Sequence, residues 1–255
     1  MGHLNELKHK YAERGLVILG VARESKAAVE AFVEETKAEY PFLIEDGATR
    51  KAYGITSIPH AALIGPSGRV VWKGNPGSLQ DSIIEEQLDK ARLLPELPSA
   101  LSSVGKDLAK QKYASARGKA EKACEHKDED VQTAAKAVVE WIDWFSTSTM
   151  ESAALDDEKG KAYDAWLAYE LVADAYKGLD IAKDAEAKAK ALEKDDEKGK
   201  AIDAGRKFAK LMEDIEGQSP KKALRKVEPY VKKYEGTPHG DRAKEMLAEL
   251  EKAAD

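Results

Sequence analysis

The N-terminal third of the chain alternates between the hydrophobic spacing of helices and that of strands. Leu4, Leu7 and Tyr11 recur at helical spacing, and the apolar run LVILGV (16–21) then predicts a strand buried on both faces of a parallel sheet. The pattern that follows predicts a helix through Val29, Phe32, Val33 and Thr36, a short FLIED stretch (42–46), a brief helix at 48–54, strands at 61–64 and 70–72, and a helix carrying Ile83, Ile84 and Leu88. This order predicts a layered α/β domain.

A tight turn separates the last two predicted strands. Gly65-Pro66-Ser67-Gly68 suits a type I turn, because proline stands at its second position and glycine at its fourth. The segment therefore predicts that 61–64 and 70–72 run antiparallel.

From about residue 99 onward the chain is dominated by Ala, Lys, Glu and Asp, and its apolar positions predict helices without a convincing strand. Between the two halves lies LLPELPSA, where Pro95 and Pro98 interrupt any continuing helix. We therefore predict an α/β domain at 1–94, a proline linker at 95–98 and a helical domain at 99–255.

The helical half contains an internal repeat. DDEKGKAYDA (156–165) recurs as DDEKGKAIDA (195–204), identical at every position but one and 39 residues apart. That offset fits a pair of antiparallel helices, so the sequence predicts a helical repeat domain. Two apolar clusters are its predicted packed seams: Val138, Val139, Trp141, Ile142, Trp144 and Phe145, and Trp166, Leu167, Tyr169, Leu171 and Val172.

The Lys-Gly-Lys step of each copy lacks the upstream strand and the spaced glycines of a phosphate-binding loop. We interpret 159–161 and 198–200 as solvated N-terminal turns of repeated helices. The closing segment, YVKKYEGTPHGDRAKEMLAELEKA, loosely resembles a tetratricopeptide helical pair: a tyrosine-ended helix, a Gly-Thr-Pro break, and a helix with an alanine and leucine face.

Composition and charge narrow the function. The 255 residues are 42% hydrophobic and 35% charged, with a net charge of −6 and intermixed signs, which disfavours nucleic acid as a partner. No apolar run approaches the roughly 18 residues of a transmembrane helix. The chain has one cysteine, Cys124, which cannot form a dithiol couple on its own.

The remaining chemistry-bearing residues form no recognisable site. The five histidines (His3, His9, His60, His126 and His239) lack metal-ligand spacing, and no nucleophile–base arrangement stands out, so we predict no metal and no cofactor. Cys124 is interpreted as a small residue on a helical seam, with a lysine-activated thiol as the alternative. His60 is interpreted as a strand residue on the sheet surface, or as the border of a substrate groove.

Two segments, in order, resemble the TlpA-like or redoxin branch of the thioredoxin superfamily. HLNELKHKYAERGLVILGVARE is similar to that family's first active-site helix and the strand after it, and AYGITSIPHAALIGPSGRVVWKG to its proline loop and terminal hairpin. The resemblance covers Gly2 to about Ala91. It implies a thioredoxin-like domain and a thiol-disulfide oxidoreductase as the functional class.

The resemblance assigns a role to Ile58 and Pro59. In this family the matching proline is cis, and the backbone before it pairs with an extended substrate peptide. The family's Cys-x-x-Cys motif lies at the start of the first helix, where the helix dipole makes thiolate available. Here that helix begins at about Gly2, so the motif and its central strand would lie upstream of Met1. We therefore expect an N-terminally incomplete domain with unpaired strand edges.

Three functions fit these observations. The first is a TlpA-like thiol-disulfide oxidoreductase, redox-inactive over the given residues, which binds a disulfide-bearing protein through Ile58 and Pro59. The second is a non-catalytic module that holds an extended peptide at the same loop. The third is a scaffold whose helical repeats bind a protein partner. The resemblance also implies an extracytoplasmic, periplasmic location. A cytoplasmic location is the alternative, because the charged, amphipathic N-terminal segment does not have the pattern of a signal peptide.

Overall fold

A computed structural model describes residues 2–45, 49–50, 53, 55 and 57–254. The chain divides into two compact units, Met1–Leu93 and Leu94–Asp255. The first combines helices with short strands, and the described part of the second is helical without a strand, which confirms the predicted fold class. No helix in the described ranges is long and apolar enough to cross a membrane.

Short helices and strands alternate in the first unit. They are α1 (Gly2–Tyr11), β1 (Gly20–Ala22), α2 (Lys26–Thr36), β2 (Phe42–Ile44), β3 (Ala61–Ile64), β4 (Val70–Gly74) and α3 (Asp81–Lys90). Ser25 caps α2, since its side chain accepts a hydrogen bond from the Ala28 amide. The helix predicted at 48–54 falls largely outside the described residues.

The strands of the first unit form two separate two-stranded sheets within the described residues. β1 and β2 are parallel, with Gly20 opposite Phe42, whereas β3 and β4 are antiparallel, with Leu63 opposite Trp72. Each described strand therefore hydrogen-bonds to a neighbouring strand along one edge only.

The strand predicted at 16–21 is wrong in extent and in burial. The strand observed here is β1, Gly20–Ala22. It pairs with β2, which is itself only three residues long, so the ladder is limited to three residues. Leu16 and Ile18 pack against the core of the unit, but the intervening Val17 is 81% exposed and Leu19 is 53% exposed. Side chains alternate across an extended segment, and here just one face is covered.

The core of the first unit is small. Its buried cluster consists of Leu7 and Tyr11 on α1 and Ile84 on α3, and partly buried leucine and isoleucine side chains pack against them. The Tyr11 hydroxyl donates to a carboxylate oxygen of Glu85 at 2.7 Å, so α1 and α3 are joined by polar as well as apolar contacts.

Eight helices account for most of the described second unit. They are α4 (Ser102–Ala109), α5 (Tyr113–Ala123), α6 (Glu129–Glu158), α7 (Ala162–Ala175), α8 (Asp180–Lys194), α9 (Asp196–Ile215), α10 (Pro220–Lys233) and α11 (Pro238–Ala254). Consecutive helices from α4 to α11 contact one another, and α9 also contacts α7 and α11. One buried cluster runs from Leu101 to Ile202 and a second from Ala204 to Met246.

The predicted seams are partly confirmed. Val138 and Ile142 on α6 and Trp166, Tyr169 and Val172 on α7 are buried. The prediction is wrong for two α7 residues, because Leu167 is 43% exposed and Leu171 is 37% exposed. They lie one helical turn apart on the outer face of α7, so they belong to the surface.

The internal repeat is not a structural repeat. In the first copy α6 ends at Glu158, Gly160 adopts a positive φ of 73°, and α7 begins at Ala162. In the second copy the Asp195 side chain accepts hydrogen bonds from the Glu197 and Lys198 amides, and α9 continues through the Lys-Gly-Lys step. The interpretation as N-terminal helical turns is therefore correct for 198–200 and wrong for 159–161.

The last two helices have the predicted arrangement of a tyrosine-ended helix, a break and a second helix. Tyr234 follows α10, Gly236 has a φ of 76°, and Pro238 is the first residue of α11. The Thr237 hydroxyl accepts the Gly240 amide at 3.0 Å, which satisfies one of the unpaired donors at the start of α11.

His239, in the first turn of α11, packs between two aromatic rings. Its ring centroid lies 5.0 Å from that of Tyr163 and 5.5 Å from that of Phe208. Burial lowers the pKa of His239; the Asp164 carboxylate opposes this shift, and Arg242 adds to it. The neutral imidazole is therefore the form that the folded unit favours.

We expect the stability of the second unit to fall as the pH drops below about 6.5, the ordinary histidine pKa. Below that pH the unfolded chain binds a proton at this position more readily than the folded chain, so protonation favours unfolding. Urea unfolding at pH 7.0 and pH 5.5 should show a larger loss for the natural chain than for His239→Gln. The control, His126→Gln at an exposed position, should keep the natural loss. An equal pH dependence in the His239→Gln chain would contradict the prediction.

Candidate polypeptide-binding loop

The loop that precedes β3 carries the two residues assigned a substrate-binding role. Two hydrogen bonds join Arg50 and Ile55, which precede this loop in the sequence: the Ile55 amide donates to the Arg50 carbonyl at 2.9 Å, and the Arg50 Nε donates to the Ile55 carbonyl at 2.9 Å.

Ile58 and Pro59 lie at the surface of the first unit. The Ile58 side chain is 79% exposed, and the Ile58–Pro59 peptide bond is cis, as the family resemblance implies. β3 begins two residues later, at Ala61, and pairs along one edge with β4. The loop therefore places an exposed branched apolar side chain directly before a strand edge that has no described partner strand.

His60 connects the loop to the strand and is not part of the strand, so the interpretation as a strand residue is wrong. Its ring is half-buried, and its Nε2 atom is buried without a hydrogen-bond partner in the described part of the chain. Buried polar atoms are almost always paired. An imidazole nitrogen can donate or accept according to its protonation, so His60 can pair with a polar group brought to this loop.

The hairpin behind the loop has the predicted turn. The Gly68 amide donates to the Gly65 carbonyl at 2.9 Å, and the Gly65 amide donates to the Arg69 carbonyl at 2.8 Å. The half-buried Trp72 on β4 lies opposite Leu63 on β3. The hairpin thus pairs β3 along one edge, and no strand in the described part of the chain pairs with its other edge.

The first unit, which carries the Ile58–Pro59 loop, contains no cysteine. Cys124 belongs to the second unit, where its thiol donates to the Ala120 carbonyl at 3.4 Å and packs against the helical core. The chain has no other cysteine. Over the described residues no group of three or more histidine, cysteine, aspartate or glutamate side chains is placed to hold a metal ion.

Comparison with known families supports the predicted resemblance of the N-terminal segment to redoxins. Residues 1–73 match the AhpC/TSA family. The redoxin-like segment runs from α1 into β4 and includes the Ile58–Pro59 loop. No curated protein and no solved structure matches the chain.

Sequence reasoning located this site through the order of its segments around one proline. It did not reveal the unpaired Nε2 of His60, because burial of a single ring atom depends on neighbours that the sequence does not bring together. The continuous Ile-Pro-His step was the available signal, since it places an imidazole beside the loop.

Proposed function

We propose that the redoxin-like unit binds an extended polypeptide at the Ile58–Pro59 loop. The observation that carries this proposal is the 79% exposed Ile58 side chain directly before β3, whose second edge pairs with no strand among the described residues. An extended peptide that pairs with such an edge gains main-chain hydrogen bonds, and alternate side chains gain apolar contacts. The match of residues 1–73 to the AhpC/TSA family supports the same assignment.

Other exposed apolar side chains lie on the strands of the same unit. Val21 on β1 is 45% exposed, and Ile64 on β3 and Val71 on β4 are 50% and 41% exposed. Apolar surface of this kind, next to a strand edge without a described partner strand, favours an extended apolar segment as the ligand.

Thiol-disulfide exchange of the TlpA-like type is the chemistry that we assign to this class of protein. A thiolate attacks a substrate disulfide to form a mixed disulfide, and a second cysteine resolves it. Cys124 is packed against the helical core, and residues 1–255 contain no second cysteine to resolve a mixed disulfide, so we assign the binding role and no redox role to these residues. An extracytoplasmic location is part of the proposal and rests on the resemblance alone.

Binding is tested with reduced, carbamidomethylated ribonuclease A, an unfolded polypeptide without free thiols. We expect this probe to slow amide hydrogen exchange at 60–64. Ile58→Asp should weaken its binding at least tenfold, since burying an isoleucine side chain is worth about 1.5–3 kcal/mol. Leu43→Asp, at a 47% exposed position on β2, is the matched control and should change the affinity less than twofold. Equal losses in both variants, or no binding, would refute the proposal.

A non-catalytic binding module is the second candidate, and the lone cysteine favours it. The two candidates share the loop and differ in whether a dithiol is present in the protein that the cell makes. The intact mass and cysteine content of the natural protein distinguish them. A larger protein with a Cys-x-x-Cys motif supports the oxidoreductase, and a protein with Cys124 as its only cysteine supports the binding module.

A further inference from the structure

A cleft in the helical unit lies between the α4–α5 connection and the end of α7. Its volume is about 400 Å³, within the range of about 300–1,000 Å³ that is typical of ligand sites. Its lining includes Lys110, Lys112, Leu171, Asp174 and Lys177. We call this the α4–α7 cleft. Neither the family match at residues 1–73 nor the Ile58–Pro59 loop accounts for it.

The lining of the α4–α7 cleft is positive in a chain that is negative overall. Three lysines, Lys110, Lys112 and Lys177, face one carboxylate, Asp174, which leaves a formal charge of +2. The whole chain has a net charge of −6. A local reversal of sign in a concave site favours an anionic ligand.

The acid nearest the α4–α5 connection is already paired with another lysine. A carboxylate oxygen of Asp107 lies 2.6 Å from the ammonium nitrogen of Lys119 and accepts the Ser115 hydroxyl at 2.6 Å. Lys112 attracts this carboxylate without forming an ion pair with it. Lys110 and Lys112 are exposed, and neither forms an ion pair among the described residues, so both ammonium groups are available to a ligand.

The α7 side of the cleft has the same arrangement. Glu186 lies 2.5 Å from the ammonium nitrogen of Lys190, one turn further along α8. Lys177 attracts Glu186 without forming an ion pair with it, and its own side chain is exposed beside the cleft. Because Glu186 is paired with Lys190, the ammonium group of Lys177 is available to a ligand.

An apolar strip begins inside the cleft and continues beyond it. Leu171 lines the cleft and is 37% exposed, and Leu167, one turn earlier on α7, is 43% exposed. Four residues along a helix span about 6 Å, so this strip has the length of roughly two residues of an extended peptide. An inorganic anion would use the lysines alone, whereas an acidic polypeptide with leucine-like side chains would use both features.

We propose that the α4–α7 cleft binds an acidic polypeptide segment of a protein partner. Carboxylates of the segment contact Lys110, Lys112 and Lys177, and an adjacent apolar side chain packs on Leu171 and Leu167. Binding weakens as the ionic strength rises, because exposed charge pairs are screened by salt.

The test uses the full chain and a fluorescein-labelled peptide, Glu-Glu-Leu-Glu-Glu-Leu-Leu, followed by fluorescence anisotropy. Charge reversal at the three lysines (K110E, K112E and K177E together) should weaken binding at least tenfold. Reversal of three exposed lysines on α9 and α10 (K207E, K210E and K222E together) makes the same change in net charge and should weaken it less than threefold. Equal losses in the two variants, or no binding to the natural chain, would overturn the proposal.

A second pair of variants tests the apolar strip. Leu171→Ser should weaken binding about fivefold, whereas Leu155→Ser, at a 52% exposed position on α6, should have no effect. Inorganic phosphate that replaces chloride at constant ionic strength should fail to displace the peptide. Displacement by phosphate, together with no effect of Leu171→Ser, would identify a small-anion site and overturn the polypeptide proposal. Circular dichroism confirms that each variant is folded.

Discussion

Replacing Tyr176 by alanine should lower the free energy of unfolding of the helical unit by about 3–5 kcal/mol, as for other buried aromatic residues. Tyr176 is 1% exposed, and its ring centroid lies 5.2 Å from that of Tyr113. Its hydroxyl donates to the Ile142 carbonyl of α6 at 3.0 Å. Alanine would leave a cavity among α5, α6 and α7 and remove this bond. Urea unfolding followed by circular dichroism at 222 nm measures the loss.

The conservative variant separates packing from hydrogen bonding. Tyr176→Phe keeps the ring and removes the hydroxyl, so it should cost about 0.5–1.5 kcal/mol. Burial raises the pKa of Tyr176, so the hydroxyl remains a donor throughout the neutral pH range. A Tyr176→Ala loss no larger than that of Tyr176→Phe would show that the ring does not fill the space assigned to it.

Gly205→Ala should destabilise the helical unit by about 3 kcal/mol, at the upper end of the usual cost of overpacking. A methyl group at this position of α9 would overlap three ring carbons of Tyr163. The Tyr163 ring has little room to move, because Trp166 stacks against it at 6.0 Å and His239 packs on it at 5.0 Å. The clash therefore outweighs the roughly 1 kcal/mol by which alanine favours a helix over glycine.

A double-mutant cycle tests the named contact. In a Tyr163→Ala background the ring is absent, so Gly205→Ala should be neutral or stabilising, and the cycle should yield a coupling energy of opposite sign to the clash. Gly118→Ala in α5 is the matched control, because an added methyl group there meets no atom within 4 Å. It should stabilise the unit by about 0.5–1 kcal/mol. Destabilisation by Gly205→Ala that persists in the Tyr163→Ala background would contradict the assigned clash.

The sequence was informative wherever a local rule decides the outcome. The turn at Gly65–Gly68 follows from the positions of proline and glycine, and the break before Pro238 follows from the residues that end one helix and start the next. The resemblance around Pro59 likewise rests on contiguous residues. These features depend on neighbours along the chain, which the sequence lists in order.

Burial of the α7 and 16–21 segments could not be predicted in the same way. Leu167 and Leu171 carry the apolar spacing of a core position, yet both are exposed because no neighbouring helix covers that face of α7 in the described structure. Val17 and Leu19 are likewise exposed, since one face of their segment is covered and the other is not. The α4–α7 cleft could not be predicted either, because its lysines come from two elements far apart in sequence.

The two copies of the internal repeat show which features follow from local sequence and which depend on packing. Composition and periodicity were sufficient to predict helices on either side of both copies. In the second copy Asp195 caps the start of α9, as expected for an aspartate at a helix N-terminus. Asp156, at the same position of the first copy, comes near the end of the 30-residue helix α6 and is buried, so it cannot begin a helix there. Nine identical residues thus form a helix end and turn in one copy and a helix start in the other, because the preceding helix and its buried contacts outweigh local preference.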